Sequence, residues 1–263
     1  MQNLTKELID KTIAEIKNEI NDYEIRKENL CKLSDKPEDK GYWQIITNGE
    51  SNYLKFLPLF IKKLGIKKII ELGNREGLST AFIYDGMAAD AEFITIDIEK
   101  DQRYCPEPMF SDKRVKFIFG DVCDLSIFQN KLPLDTEFVF SDTIHYDFQV
   151  RDEFSVYQYL LADKALFAID DINLNDKRRF FDSVEFSKWD LTELCHVSGW
   201  GLFLYERKEK LTRDERLLKA YQAMGAVFIR KFQEKEKRLN ELEAKPTLKK
   251  NIKLVLKKSG LLK

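Results

Sequence analysis

Apolar residues change their period several times along this chain. At the start, Ile9, Ile13, Ile16, Ile20 and Tyr23 recur every three or four positions among Lys, Glu and Asn, the spacing of an amphipathic helix. The polar stretch 34–41, which contains Pro37 and Gly41, reads as a loop. From residue 53 onward, short runs rich in Ile, Phe and Val alternate with helical patterns. Strands are predicted over 68–72, 93–98, 115–119, 137–142 and 165–170, and helices over 53–64, 78–87, 125–131, 148–161 and 176–187. Apolar strands separated by helices imply a mostly parallel sheet covered on both faces, a doubly wound α/β domain. The last two runs, 191–197 and 201–206, are separated only by Ser198, Gly199 and Trp200. That is too short for a helical crossover, so these strands are predicted to pair antiparallel. Beyond residue 207 the pattern is helical again: Leu217, Tyr221, Met224 and Phe228 keep heptad-like spacing, and Pro246 opens a final segment.

Composition narrows the class. With 43% hydrophobic and 34% charged residues, the 263-residue chain is neither disordered nor collagen-like, and it can bury a full core. No uncharged apolar run reaches the roughly 18 residues of a membrane span, and the polar, mixed-charge N-terminus does not read as a signal peptide. Cys31, Cys105, Cys123 and Cys195 lie far apart without a CxxC pair, so reduced thiols in the cytoplasm are expected and a cysteine zinc site is not. The net charge of −1 hides an asymmetry: residues 207–263 carry 18 Lys/Arg against 7 Asp/Glu, whereas the remainder carries 26 against 38. A basic tail on an acidic body suggests a separate task for the tail.

The turn Glu71-Leu72-Gly73-Asn74-Arg75-Glu76-Gly77 follows the first predicted strand of the sheet. In doubly wound sheets ligands bind at the carboxyl ends of strands, and glycines there let the backbone approach a ligand closely. A dinucleotide GxGxxG is not met, because Arg75 stands at its second glycine. The acidic-x-Gly-x-x-x-Gly pattern instead resembles motif I of class I S-adenosylmethionine-dependent methyltransferases. Asp97 at the end of the second strand and Gly120-Asp121 at the end of the third match that family's later motifs. The resemblance implies a Rossmann-like sheet of order 3-2-1-4-5-7-6 with its last strand antiparallel and helical N- and C-terminal extensions. It implies S-adenosylmethionine as cofactor, held by Glu71, Gly73, Asn74, Gly77, Asp97 and Asp121. Asp97 would take the ribose hydroxyls and Asp121 would lie near the adenine amino group.

Two further strand ends, Ser141-Asp142-Thr143-Ile144-His145 and Asp170-Asp171, bring three carboxylates to the same edge. Clustered carboxylates are costly unless protonated or neutralised by a cation, and hard oxygen donors point to Mg²⁺, or less specifically to Mn²⁺ or Ca²⁺. The arrangement resembles the metal-dependent O-methyltransferases of the catechol, macrolide-sugar and cephalosporin-hydroxylase-like groups. That resemblance makes Asp142, Asp170 and Asp171 the metal ligands and His145 the general base. Two features depart from the family: Ala162-Asp163-Lys164-Ala165 replaces a Pro-Gly-Gly turn, and Thr143 stands where Gly is common. His196 is read as structural, on the hairpin strand away from this edge. Cys123 is read as a packed residue and Arg151-Asp152 as a local ion pair. Tyr42, Trp43 and Trp200 are candidate substrate aromatics.

The expected reaction is methyl transfer to a hydroxyl, with a vicinal diol of a sugar or glycan favoured over a catechol. The rivals are a nicotinamide-dependent oxidoreductase and a catalytically silent scaffold on the same fold. The expected division is 1–40, an amphipathic helix and linker; 41–206, the methyltransferase domain; and 207–263, a basic extension. The apolar stripes at both ends suggest a homo-oligomer, a dimer in the simplest case. The lysine-rich, acid-free segment 247–263 suggests peripheral contact with the inner membrane face. No nucleic-acid partner is expected.

Overall fold

The computed structural model describes residues 4–24, 51–129 and 131–244. Its elements in chain order are α1 (Lys6–Glu19), α2 (Tyr53–Leu64), β1 (Lys68–Leu72), α3 (Leu78–Gly86), β2 (Glu92–Asp97), α4 (Glu107–Ser111) and β3 (Val115–Phe119). They continue with β4 (Thr136–Ser141), α5 (Asp147–Tyr157), β5 (Leu161–Asp170), α6 (Lys177–Ser183), β6 (Ser187–Asp190), α7 (Thr192–Cys195), β7 (Trp200–Glu206) and α8 (Arg213–Ala244). The seven strands form one sheet of order β3-β2-β1-β4-β5-β7-β6. β1 to β5 pair in parallel, and β7 runs antiparallel to both β5 and β6. This is the predicted topology.

Alternation along the strands explains why both faces are covered. Ile69, Phe138, Phe140, Leu166 and Leu202 point into one core with Ile9, Ile16, Phe56 and Phe60, whereas Ile70, Val139, Phe167 and Phe203 point into the other with Tyr157, Ala220 and Val227. Successive side chains of a strand face opposite sides, so each strand feeds both layers. Register then fixes the functional edge. Leu72 lies opposite Ile96 and Ser141, Ser141 opposite Ile169, and Asp170 opposite Trp200. The carboxyl ends of β1 to β5 therefore open on one side.

The hairpin prediction needs correction. Residues 191–197 are not a strand; β6 lies earlier, at Ser187–Asp190, and Thr192–Cys195 forms a helical turn. Asp190 Oδ1 accepts from Thr192 N at 3.0 Å and from the Thr192 hydroxyl at 2.5 Å, which turns the chain out of β6. Leu191, Leu194 and Cys195 recur at helical spacing and pack into the core. The β6–β7 connection thus runs through residues 191–199, and His196 falls in it.

The N-terminal stripe finds cover within the chain, and the C-terminal one does so in part, with Tyr221 and Met224 packed against the core and Phe228 exposed. Ile9, Ile16 and Ile20 are buried, and Lys63 of α2 pairs with Glu15 at 3.3 Å and Glu19 at 2.9 Å of α1. α8 docks through Arg216, Ala220 and Val227. The Arg216 guanidinium donates to the carbonyls of Tyr159 and Leu161 at 3.0 and 2.7 Å and to Asp135 at 2.7 Å, which anchors the helix to the start of β5. These contacts cover much of the apolar surface that the two stripes present. Among the described residues, no helix is long and apolar enough to cross a membrane.

Candidate active site

The loop after β1 is shaped by its neighbours. Gly73 has φ +84°, and a Cβ there would lie 2.2 Å from the carbonyl oxygen of Asp142, so the β1 loop can cross the end of β4 only with glycine. Asp142 N in turn donates to Leu72 O at 2.8 Å. Gly77, also at positive φ, begins α3. Asp97 Oδ2 accepts from the backbone N–H groups of Asn74 and Arg75 at 2.8 and 2.7 Å, and Oδ1 accepts from Glu99 N at 2.8 Å. The side chain expected to meet a ribose therefore also sets the shape of the glycine loop. Glu71 lies beneath, fully buried, accepting hydrogen bonds of 2.6 Å from Ser79, Thr80 and Thr95. Burial pushes its carboxyl up to about 7, against the opposing pull of those three hydroxyls. With both oxygens engaged, Glu71 supports the loop from below. Asn74 is also buried, with Nδ2 on Thr95 Oγ1 at 2.9 Å and Oδ1 lacking a partner among the described residues.

Asp121 lies past β3, where Gly120 N donates to Asp97 O at 2.9 Å. Its Oδ1 accepts from Cys123 N at 2.9 Å and its Oδ2 meets Lys231 of α8 at 3.0 Å. Ile98, next to Asp97, is 77% exposed on this edge. An isoleucine left in water beside three polar strand ends is an apolar contact that the sequence pattern alone did not single out.

The acidic cluster sits at the ends of β4 and β5. His145 Nε2 is 3.8 Å from Asp142 Oδ1 and 3.2 Å from Asp171 Oδ2. Asp171 holds a left-handed backbone, φ 54°, uncommon for a residue other than glycine. His196 is here as well: its Nε2 is 2.7 Å from Asp170 Oδ1, its Nδ1 is 2.6 Å from Ser198 Oγ, and its side chain is only 8% exposed. The expectation that His196 stands away from this edge is therefore wrong, because the turn of α7 returns the chain to the end of β5. Burial pulls the imidazole down, but hydrogen bonding and charge from Asp170 outweigh it and raise its pKa. The Tyr53 ring lies 4.8 Å from that of His196, and burial, followed by the Asp170, Asp142 and Asp171 charges, raises its hydroxyl well above the usual range.

Burial and the adjacent Asp170 raise Asp142 well above ordinary carboxylates, with Lys177 opposing them. Lys177 is fully buried and its Nζ donates to Asp170 O at 2.7 Å. Glu153, also fully buried, accepts from Ser141 and Thr143 at 2.5 Å and from Gln149 at 2.8 Å. Thr143, where a glycine is usual in the resembled family, thus grips a buried carboxylate. Two sets of three groups have ligand atoms within 4.8 Å of one another: Asp142, His145 and Asp171, and Asp170, Asp171 and His196. Asp171 belongs to both. The expected trio of Asp142, Asp170 and Asp171 is thus drawn together through two histidines, not as a set of carboxylates alone. Mixed oxygen and imidazole donors, with one buried lysine against three carboxylates, fit a divalent cation.

Other candidates are displaced. Trp200 is fully buried against Phe56 and Phe140 and cannot face a substrate. Tyr42 and Trp43 lie outside the described residues. In their place, Tyr146 and Phe148 are exposed and stacked at 5.5 Å directly after His145. Arg151 pairs with Asp147 at 2.7 Å, and Asp152 pairs with Arg230 of α8, so Arg151-Asp152 is not an ion pair. Cys123 is buried, and burial raises its thiol, as a packed residue requires.

No family model and no curated protein matches the sequence. Among solved structures, the chain is similar to a putative caffeoyl-CoA O-methyltransferase from Staphylococcus aureus, at 14% identity over 74% of this chain and 99% of that one, with a TM-score of 0.51. It is also similar to a methyltransferase from Podospora anserina bound to SAH, at 16% identity over 79% and 99% of the two chains and a TM-score of 0.49. An O-methyltransferase from Streptomyces achromogenes, involved in tomaymycin synthesis and bound to SAM, matches at 16% identity over 59% and 80%, with a TM-score of 0.44. The first of these likenesses shows the fold: the sheet has the Rossmann-like methyltransferase architecture.

Proposed function

We propose that the chain is an S-adenosylmethionine-dependent O-methyltransferase acting with a divalent cation on a hydroxyl of a sugar or glycan. The observation that carries this reading is the convergence on one sheet edge of the Glu71–Gly77 loop, Asp97, Asp121, the Asp142–His145 pair and Asp170-Asp171. A nicotinamide site would need a second glycine where Arg75 stands, and a silent scaffold gives no reason for a buried acidic cluster at this edge.

In this reading the glycine loop lets the methionine part of the cofactor approach the backbone, while Glu71 and Asn74 hold the loop from below. Asp97 accepts from the ribose hydroxyls, Asp121 lies by the adenine amino group, and Ile98 supplies an apolar face for the ring. Asp142, Asp170 and Asp171 would hold the ion, which when bound lowers the pKa of a coordinated hydroxyl. His145, 36% exposed at the rim of the cluster, is placed to take that hydroxyl's proton. The exposed Tyr146–Phe148 stack offers a flat surface for the C–H face of a sugar ring. The same stack favours a second reading, in which the acceptor is an aromatic vicinal diol. His145 also falls within ligand distance of the cluster, so its role as base or as ligand is decided by whether its loss lowers turnover or cation affinity.

The C-terminal segment 247–263 lies outside the described residues. Its lysines and leucines support peripheral attachment to an anionic membrane. The outer face of α8, where Phe228, Ile229 and Phe232 are exposed, supports a homo-oligomer.

Transfer of a labelled methyl group from S-adenosylmethionine tests the proposal on a panel of nucleotide sugars, glycan fragments and catechols, with and without chelator. Chelator-sensitive labelling of a sugar hydroxyl is the expected result. Labelling of catechols alone selects the second reading, and labelling that persists in chelator removes the cation from the mechanism.

A further inference from the structure

We infer that His196 is an additional ligand of the cation, and that its imidazole makes the cluster prefer Mn²⁺ to Mg²⁺. This rests on the metal-assisted reading above. The chain contains two histidines in 263 residues, and the fold brings both to the acidic cluster: His145 Nε2 lies 3.2 Å from Asp171 Oδ2, and His196 forms a group with Asp170 and Asp171 whose ligand atoms lie within 4.8 Å of one another. His196 Nε2 is 2.7 Å from Asp170 Oδ1. Neighbouring ligands of a six-coordinate ion with bonds near 2.1 Å stand about 3 Å apart. Separations of 2.7 and 3.2 Å thus need adjustments of only a few tenths of an ångström for each pair to share an ion.

The second ring nitrogen of His196 is also provided for. A ligating imidazole is normally held through its other nitrogen, which fixes tautomer and ring orientation. Ser198 Oγ occupies that position, 2.6 Å from Nδ1. A hydroxyl both donates and accepts, so it can hold the ring with Nε2 protonated on Asp170 or with Nε2 free for an ion. The segment is fixed in turn: Ile172 N donates to Gly199 O at 3.1 Å and Asn173 N to Ser198 O at 2.9 Å. These bonds tie the His196–Gly199 turn to the turn that carries Asp171. Gly199, at φ +94°, leaves no room for a side chain against Ile172 and Asn173.

The order Ser198–His196–Asp170 also has the composition of a hydrolytic triad. The backbone N–H groups beside that serine, those of Gly199 and Asn173, already donate to His196 O and Ser198 O. They cannot stabilise an oxyanion, so the arrangement serves to hold the imidazole. Oxygen donors alone suit Mg²⁺, and an imidazole among them shifts preference toward transition ions. Fully buried Lys177 sets a single positive charge against this cluster, fewer than the carboxylates around it.

The test uses the full-length chain, free of purification histidines, with Mn²⁺ as the probe. In the His145→Ala protein His196 is the last imidazole in the chain. Bound Mn²⁺ is expected to show histidine-nitrogen modulation in pulsed paramagnetic resonance, and adding His196→Gln is expected to abolish it. Glutamine keeps an N–H for Asp170, which favours folding of the double variant. Calorimetry on the unmodified protein should give Mn²⁺ binding at least about tenfold tighter than Mg²⁺. His196→Gln should weaken Mn²⁺ by about 10–100-fold, the range for disrupting a ligand's surroundings, and weaken Mg²⁺ far less. A nitrogen-free spectrum of Mn²⁺ bound to the His145→Ala protein overturns the assignment of His196, as does an unchanged Mn²⁺-to-Mg²⁺ ratio in His196→Gln. Either result leaves the metal-assisted reading standing. If the unmodified protein binds neither ion in the presence of S-adenosylmethionine, that reading fails and this inference fails with it.

Discussion

The edge of the sheet has two halves built in different ways. At the ends of β1, β2 and β3, side chains hold a backbone loop: Asp97 binds the N–H groups of Asn74 and Arg75, and Glu71 sits on the hydroxyls of Ser79, Thr80 and Thr95. At the ends of β4, β5 and β7, side chains from separate turns are assembled around charge. His145 comes from the loop before α5, Lys177 from α6 and His196 from the loop before β7. The first half is shaped before any ligand arrives. The second gathers like charges, with Asp142 raised by burial and by Asp170. Binding the cofactor and activating the acceptor should therefore fail separately.

The largest separation is expected from the cation. Chelator should abolish turnover and a divalent ion should restore it, and Asp142→Asn should mimic chelation. Calorimetry of S-adenosylmethionine should show nearly unchanged affinity in both cases. A large loss of cofactor affinity would mean that the halves are one cooperative unit.

His145→Ala should lower kcat by roughly 10²–10⁴-fold, the range for loss of a general base, with cofactor affinity and melting temperature maintained. A loss smaller than about fivefold, well below that range, would make His145 a bystander. A parallel loss of Mn²⁺ affinity would make it a ligand.

The Glu71 carboxyl sharpens the other half. Its folded pKa is raised from an ordinary 4.5 to about 7 by burial, so the folded protein holds this proton more tightly than the unfolded chain. Its contribution to stability is therefore full below pH 4.5 and declines as pH rises through 7. Glu71→Gln should remove that decline, worth on the order of 3 kcal/mol, in denaturant titrations between pH 4.5 and 8. Identical pH profiles for the two proteins would show that the buried acid is not under strain.

Asp97→Ala should weaken S-adenosylmethionine by roughly 1.5–3 kcal/mol, the range for hydrogen bonds to a charged group. Cation affinity should hold. An unchanged cofactor affinity would remove Asp97 from the ribose.

The contrast also explains what the sequence disclosed. The Gly73–Gly77 turn, Asp97 and Asp121 are legible because each is a short motif at the end of an apolar run; strand direction follows from alternation and connection length, and strand order from the family resemblance. Asp142, His145, Asp170 and Asp171 are legible for the same reason. His196 is not, because its place depends on whether residues 191–195 extend or coil. The short link to 201–206 suggests a hairpin strand, whereas the Asp190–Thr192 hydrogen bonds and the core contacts of Leu191 and Cys195 go with a helical turn. Lys177 and Glu153 look like surface charges until α5 and α6 bury them. Trp200 misled in the opposite direction, since a large aromatic beside a glycine turn can equally fill a core. The terminal stripes are amphipathic, as their spacing predicts; the first packs on the chain's own core, and the second does so only in part, leaving Phe228 exposed.

The most direct test of the account is calorimetric titration of S-adenosylmethionine, and separately NADH, into the purified full-length protein with chelator and with Mn²⁺. The account predicts saturable one-to-one binding of S-adenosylmethionine in both conditions and none of NADH. Failure to bind S-adenosylmethionine in either condition would contradict it.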